Sequence, residues 1–478
     1  MNLQAKPQAE RKLAPDLLAR FTAIVGEKYA IIDPQVQEAY LVEMRDLYHG
    51  HTPVVLRPGS VAEVAAIVKL ANETKTAIVP QGGNTGLVGG QIPHHGEVIL
   101  SLTRLDKIRE VDPVSNTLTV EAGVTLQRAR EAAAAVDRLY PQLLPSEGTC
   151  TIGGNLSTNA GGIAAVAHGI ARSHALGLEV VLADGRVLND LNKLKKNNTG
   201  YDLRDLFIGA EGTLGIITAA VLRLVPKPRS VETAYAGVPS PQAGVDLLNL
   251  AIKRTGGGVT SCELMARSGI EAVVKHDAVS RDPLAAPHPW YILLELSSQA
   301  RGGLRETMED ILATGAARGL VEDATIAGSL EQAKAFWRIR EMFGEVQRHI
   351  GASIKHDVSV PVAAVPAFIE EANAAVVKLI PGSRPLPFGH IGDGNIHYNV
   401  TQPEGADKAK FLARWDEVNA VVFAVVKKFG GSISAEHGVG VMKRDILPQY
   451  KDPVALDLMR TLKHTLDPNN ILNPGKVI

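Results

Sequence analysis

The sequence predicts an α+β chain of more than one structural unit, and three observations carry that expectation. At roughly 150 residues per domain, 478 residues suffice for about three units or two large ones. Up to about residue 229, short apolar strands alternate with helices and glycine-rich loops. Beyond that point the rhythm becomes strand, helix, strand, as in an antiparallel sheet with helices on one face.

Residues 1–48 read as a helical lead-in ending near His49-Gly50. Ser60 then caps a helix over VAEVAAIVKLANET, whose apolar positions recur at helical spacing. AIVP at 77–80, EVILSL at 97–102 and TLTVEA at 117–122 are strands, and LEVVLADGRVLN at 178–189 is a hairpin turning at Asp184-Gly185. GIITAAVLRLVPKP is a strand stopped by Pro226 and Pro228, which closes a first unit at 49–229. A second unit, 230–430, carries strands at VETAYAGV, VTSCELM, WYILLELSS and DATIAG, with helices at PQAGVDLLNLAIKR and 303–318. Helices at 329–349 and 362–380, a strand at 353–360, a hairpin at 386–400 and a helix near 406–429 complete it. Residues 431–478, with a helix near 453–466, form a C-terminal segment expected to pack back on the first unit.

Composition excludes several function classes. Lysine and arginine total 50 against 51 acidic residues, a net charge of −1, so no positive field is available for a nucleic-acid backbone or an anionic membrane. Apolar residues at 45% and charged residues at 21% describe a packed chain, not a disordered one. The two cysteines, Cys150 and Cys262, are too far apart for a CxxC pair, which points to a reducing compartment without a disulfide framework. No uninterrupted apolar run reaches the ~18 residues of a membrane span, so the chain reads as cytoplasmic, or of the mitochondrial matrix in a eukaryote. The excess is in glycine: 45 residues, about 9% against a usual ~7%.

Those glycines cluster. Pro80-Gln-Gly82-Gly83-Asn84-Thr85-Gly86-Leu87-Val-Gly89-Gly90 directly follows a strand, where consecutive amides free of side chains form a concave anion site suited to a diphosphate. A flexible surface turn is the alternative, but such turns seldom carry residues like Leu87 and Val88. Neither GxGxxG opening a helix nor GxxxxGK[ST] occurs, which removes the dinucleotide and NTPase signatures. Two further polar glycine loops, PSEGTCTIGGNLSTNAGG at 145–162 and IGAEGTLGIIT at 208–218, exceed what one phosphate needs and suggest a long ligand lying across several loops.

A second constellation lies in Phe388-Gly-His390-Ile-Gly-Asp-Gly-Asn-Ile-His397-Tyr-Asn399. A four-residue turn at 392–395 would set His390 opposite His397, with Cβ atoms ~5 Å apart, a spacing suited to one divalent metal. Asn399 would project from the same strand face as His397. Ser434-Ala-Glu436-His437-Gly438 offers a carboxylate and an imidazole, either of which could be a third ligand; Zn or Mn fits these donors. The alternative is a pair of hydrogen-bonded structural histidines.

Together the motifs PQGGNTGLVGG, PSEGTCTIGGNLSTNAGG, IGAEGTLGIIT and the terminal ILNPGK resemble the flavin-dependent oxidoreductases of the vanillyl-alcohol-oxidase type, and within them the D-2-hydroxyacid dehydrogenases. The resemblance spans residues 45–478 and implies a two-part FAD-binding domain capped by an antiparallel substrate domain. FAD would be held without a covalent bond, although His94 and His95 follow the first loop. The implied cofactor contacts are Pro80, Gly82, Gly83, Asn84, Thr85, Gly86, Leu87, Gly89 and Gly90 from the first loop. The second loop would add Ser146, Thr149, Gly153, Gly154, Asn155, Asn159, Gly161 and Gly162, with Glu211, Gly215, Ile216 and Asn473 beyond. The resemblance makes Glu436 the third metal ligand beside His390 and His397, and His437 the catalytic base. A D-2-hydroxyacid would then lose its hydroxyl proton to His437 and its C2 hydride to the flavin, giving a 2-oxoacid.

Resemblance to the D-2-hydroxyglutarate branch assigns Arg340 and Lys355 to a distal carboxylate, with Asn399 and His437 also at the substrate; solvated surface charges are the alternative for the two cations. Four residues after Arg340, where that branch tends to carry threonine, this chain has Gly344. D-lactate and D-malate therefore stay open beside D-2-hydroxyglutarate. Electrons would leave to an external quinone, electron-transfer flavoprotein or cytochrome, and a homodimer is open. A reading of another class is a non-redox metallohydrolase using His390, His397 and Glu436.

Overall fold

The computed structural model describes residues 13–478, which leaves residues 1–12 of the expected lead-in outside the described chain. It divides into two compact units. One contains residues up to Gly162, Gly169–Lys227 and Glu436–Ile478; the other contains Ile163–His168 and Pro228–Ala435.

In the first unit, the lead-in forms helices Pro15–Val25 and Pro34–Leu41, and Ser60 caps the helix Val61–Thr74 by accepting from the Glu63 N–H at 3.2 Å. A four-stranded sheet runs Ala30–Ile31, Val55–Leu56, Val98–Ser101 and Ile78–Gln81, the last being β1. The pairings of Val98–Ser101 to both its neighbours are parallel. A second sheet is antiparallel and runs Ile108–Asp112, Thr117–Glu121, Ile216–Arg223, Ala175–Val181 and Val187–Asp190. Each sheet buries its own apolar cluster, one around Phe21, Ile67, Ile78 and Leu100, the other around Leu118, Leu156, Val180 and Leu222. The C-terminal strip docks beside β1: Ile78 donates to Ile471 O and Asn473 donates to Ile78 O, both at 2.8 Å.

The second unit is one antiparallel sheet, running Asp323–Ile326, Ser230–Val238, Trp290–Ser298, β2 (Val259–Ala266), β3 (Arg384–His390), β4 (Asn395–Thr401) and Ser353–Ile354, with Asp357–Ser359 also on β4. The helix Leu330–Ile350, α1, packs Phe336, Ile339 and Phe343 against Met265, Leu386 and Phe388 of the sheet.

Several expectations need correction. TIGGNLST is not open loop: Thr151 caps a short helix over Ile152–Thr158, ended by Asn159 in the left-handed region. The strand expected at 353–360 is two short strands, and the helix expected at 406–429 is broken into Lys408–Leu412 and Trp415–Lys428. Helices Leu126–Ala134 and Arg267–His276 lay among residues given no element. The hairpin register also differs. The turn spans residues 391–394, closed by the Gly394 N–H donating to His390 O at 3.1 Å, so His390 faces Asn395 and Phe388 faces His397. The left-handed residue decides this: Gly394 has φ +81° and sits at the end of the turn, two residues earlier in the register sum than a turn centred on 393–394 requires.

A methyl at Gly394 would lie 2.0 Å from Val360 O in addition to facing the φ penalty. Gly394→Ala should therefore cost at least about 2 kcal/mol, read as a Tm several degrees lower; an unchanged Tm would contradict this register.

Candidate functional site

β1 feeds the first glycine loop. Among the described residues, the N–H groups of residues 83–90 donate to no protein acceptor, although Val88, Gly89 and Gly90 are buried. A buried amide without a partner, as at these three residues, is costly unless an acceptor meets it, and an anionic diphosphate supplies such acceptors. The chain thus fits FAD on its own donor chemistry.

The glycines themselves are required by loop-on-loop packing. A Cβ at Gly82 would meet Thr151 Oγ1 at 2.3 Å, and one at Gly83 would meet Thr149 O at 1.9 Å, so the first and second loops touch backbone to backbone. Pro80 packs on Gly212 of the third loop, and Gly153 lies against Ala122. Ser146 accepts through its carbonyl from the N–H groups of Thr149 and Cys150, closing a turn. Gly215, next to Ile216, is hemmed in by Val180 and Phe207.

Several polar side chains expected at the cofactor are bonded within the unit, and what they secure is loop shape. The Asn84 amide donates to Ala39 O and Val42 O, and Arg45 donates to Leu87 O. Asn155 donates to Cys150 Sγ, and Asn159 accepts from the Arg172 N–H. Asn473 donates to Gly90 O at 3.0 Å and to Glu211 O at 2.8 Å. Gly86 O accepts from Gln91, and no side-chain bond of Thr85 marks it out. His94 is committed to Gly89 O at 3.1 Å, and burial holds its ring nitrogen down to about 4.

The loop carrying Glu436 and His437 is anchored in this unit. Glu436 Oε1 accepts from the Gly162 N–H at 2.8 Å, beside Gly161. Glu211, left-handed at φ +51°, accepts from the N–H groups of Val439 at 2.7 Å and Gly440 at 2.9 Å. Burial pushes its carboxyl up to about 7, against the pull of those two N–H groups and of Lys443.

In the second unit the polar cluster sits where α1 covers β2, β3 and β4. The histidine rings lie diagonally across the hairpin with centroids 5.7 Å apart; the altered register keeps both on one face. Glu263 of β2 directly faces His390 in the ladder. Its side chain has no exposed surface; Oε1 bonds His390 Nδ1 at 2.6 Å and Oε2 accepts from Arg340 Nε at 2.7 Å. Burial would raise the Glu263 carboxyl, but His390 and Arg340 outweigh it and hold it down to about 2. Arg340 lies over the Phe388 ring, 4.9 Å from its centroid, and that ring in turn lies 5.1 Å from His397. Asp357 pairs with His397, Oδ1 to Nδ1 at 4.0 Å.

Arg340 is thus buried rather than a solvated charge, whereas Lys355 is exposed between two short strands. Asn399 has both amide atoms engaged, donating to Gln347 and accepting from the His356 N–H, so it braces β4 against α1. Glu263 and Asp357 went unnoticed in the sequence. The available signal was a carboxylate inside the apolar strand VTSCELM, which only a buried partner explains. At Gly344 a Cβ would meet nothing within 4 Å.

Glu211 gives a pH signature with a definite sign. Between its ordinary 4.5 and about 7 the unfolded carboxyl is ionised while the folded one keeps its proton, so its stabilising contribution is lost as pH rises through that window. Glu211→Gln removes this component: the Tm difference, variant minus wild type, should rise across the window and level off above it. Parallel Tm curves would contradict the assignment.

Residues 52–190 match the model described as FAD binding domain, and residues 227–477 the model of the FAD linked oxidases, C-terminal domain. The D-2-hydroxyglutarate dehydrogenase of Xanthomonas citri pv. viticola is 39% identical over 91% of this chain and 91% of its own. The mitochondrial D-2-hydroxyglutarate dehydrogenase of Arabidopsis thaliana is 37% identical over 96% of this chain and 80% of its own. Among solved structures, p-cresol methylhydroxylase with substrate bound superposes with a TM-score of 0.75 at 19% identity, covering 97% of this chain and 96% of its own, a likeness of fold. No helix among the described residues is long and apolar enough to cross a membrane. The α+β architecture is that of the vanillyl-alcohol-oxidase type, and the chain belongs to the D-2-hydroxyglutarate dehydrogenase family of FAD-linked oxidoreductases.

Proposed function

We propose that this chain is an FAD-dependent dehydrogenase that oxidises D-2-hydroxyglutarate to 2-oxoglutarate. Its relatives of nearly full length carry that activity in their names. The observation that carries the site reading is the buried line Arg340, Glu263, His390: an anion-reading guanidinium and a metal-type imidazole held by one carboxylate. The metallohydrolase reading has no comparable support, since residues 83–90 and the FAD-binding match would then lack a purpose.

Within this reading His390, His397 and Glu436 hold one divalent metal, zinc or manganese. Because Nδ1 of His390 is committed to Glu263, Nε2 is the nitrogen that would hold the metal. Glu436 directly follows Ala435, whose N–H donates to Asp357 O at 3.3 Å on the strand paired with His397. FAD, when bound without a covalent link along residues 80–90, 146–162, 211–216 and Asn473, supplies the two-electron sink, and the metal supplies charge that lowers the hydroxyl pKa. His437 takes the hydroxyl proton as the C2 hydride departs, which leaves a carbonyl at C2. Arg340 presents its remaining N–H groups to the distal carboxylate, Lys355 adds a point charge, and Asn399 keeps β4 in place beside them. The electrons would leave to an external quinone, electron-transfer flavoprotein or cytochrome. A homodimer acting in the bacterial cytoplasm, or in the mitochondrial matrix of a eukaryote, completes the reading.

His437→Ala should lose at least about 100-fold in kcat with FAD retained, the usual weight of a general base. Loss of flavin instead would count against that role. EDTA treatment should abolish turnover while the yellow colour stays, and a rate unaffected by EDTA would remove the metal. Arg340→Ala should raise KM for D-2-hydroxyglutarate by about 10-fold or more relative to D-lactate, from the loss of a charged hydrogen bond. Equal effects on D-2-hydroxyglutarate, D-malate and D-lactate would mean that Arg340 does not read a distal carboxylate.

A further inference from the structure

We infer that Glu263 is a positioning residue that couples the metal ligand His390 to the substrate-reading Arg340, so that neither group is set independently of the other. The inference rests on the proposed roles of those two residues. Its basis is geometric: the two oxygens of one fully buried carboxylate are divided between them, at 2.6 Å to His390 and 2.7 Å to Arg340. Sheet register delivers the first contact, because Glu263 and His390 are directly opposed residues of β2 and β3. Helix α1 delivers the second. Ser261, two residues earlier on β2, is itself buried and sets its hydroxyl 2.8 Å from Ile163 O and 3.2 Å from Oε1.

Each contact selects a geometry. An Nδ1–H donated to Glu263 fixes the His390 tautomer with its lone pair on Nε2, and the carboxylate makes that nitrogen a stronger donor to a metal. A guanidinium held at Nε keeps its end-on fork of Nη groups for a second carboxylate, and the Phe388 ring beneath it sets the plane. A neutral amide cannot replace this arrangement. Both partners are donors, so glutamine would satisfy one and turn an NH2 towards the other.

The test uses the FAD-loaded protein stripped of metal with EDTA. The Zn²⁺ dissociation constant is measured by competition with a chromogenic chelator for wild type, Glu263→Gln, Glu263→Asp, Arg340→Gln and the double variant Glu263→Gln/Arg340→Gln. KM for D-2-hydroxyglutarate and for D-lactate is measured in parallel. Glu263→Gln should weaken Zn²⁺ by about 10–100-fold, as for other groups that orient a metal-binding histidine. It should also raise KM for the dicarboxylate more than for D-lactate. Arg340→Gln should shift Zn²⁺ affinity in the wild-type background and leave it unchanged in the Glu263→Gln background. If Glu263→Gln does not fold, Glu263→Asp carries the test, since the side chain shorter by one methylene loses reach to one of the partners. A folded, flavin-loaded Glu263 variant with wild-type Zn²⁺ affinity, or additive effects of the two substitutions, overturns the coupling. Wild type that binds no Zn²⁺ overturns the metal reading instead, and the coupling is then judged on the KM ratio: a ratio unchanged by Glu263→Gln overturns it and a raised one supports it.

Discussion

A carboxylate with no exposed surface keeps its charge only when cations or strong donors replace the water it has lost. Glu263 meets that requirement twice over, with His390 on one oxygen and Arg340 on the other. The rest of the second unit is arranged around this constraint. β2 and β3 are in register so that Glu263 faces His390, the hairpin turn at 391–394 brings His397 back to the same face, and α1 crosses that face to deliver Arg340. The apolar residues of α1 on either side, Phe336, Ile339 and Phe343, bury the cluster, and removing water strengthens each of its charged bonds. The same burial makes the cluster intolerant of losing a partner, because a lone charge would remain there.

The first unit solves a different problem, that of holding three loops rich in glycine in one shape. Its means are mostly backbone contacts: Gly83 on Thr149, Gly440 on Val88, and Asn473 on Gly90 and Glu211. Lys463 fastens the C-terminal strip by donating to Thr213 O, Leu472 O and Asp467. Loops fixed in this way can leave the amides of residues 83–90 facing a cofactor without collapsing onto them.

Much of this was legible in the sequence, for identifiable reasons. The helices at Val61–Thr74, Leu330–Ile350 and Pro453–Leu466 announce themselves through apolar periodicity, the first also through its Ser60 cap, and their ends fall within a residue or two of expectation. The Asp184-Gly185 turn carries the chemistry of its own type, with Gly185 at φ +84°. The hairpin at 386–400 was legible as a hairpin but not in its register, because part of what holds the turn at 391–394 lies outside the hairpin: Asp357–Ser359 pairs along β4, and the Val360 N–H donates to Gly394 O at 3.1 Å. The helix at Ile152–Thr158 was hidden because adjacent glycines argue against a helix, and Thr151 overrides them with a cap. Glu263 was invisible for a deeper reason: its importance lies in partners 77 and 127 residues away, which no local pattern contains.

The proposed site stands on the orientation of His390, because the bond to Glu263 commits Nδ1 and would leave Nε2 as the nitrogen for a metal. Anomalous diffraction from crystals of the FAD- and Zn²⁺-loaded protein measures this directly. The account predicts a single strong peak at ~2.0–2.1 Å from Nε2 of His390, with His397 at a similar distance and Nδ1 of His390 still on Glu263. A peak on Nδ1 with the Glu263 contact broken, or no peak at either histidine in catalytically active crystals, would contradict it.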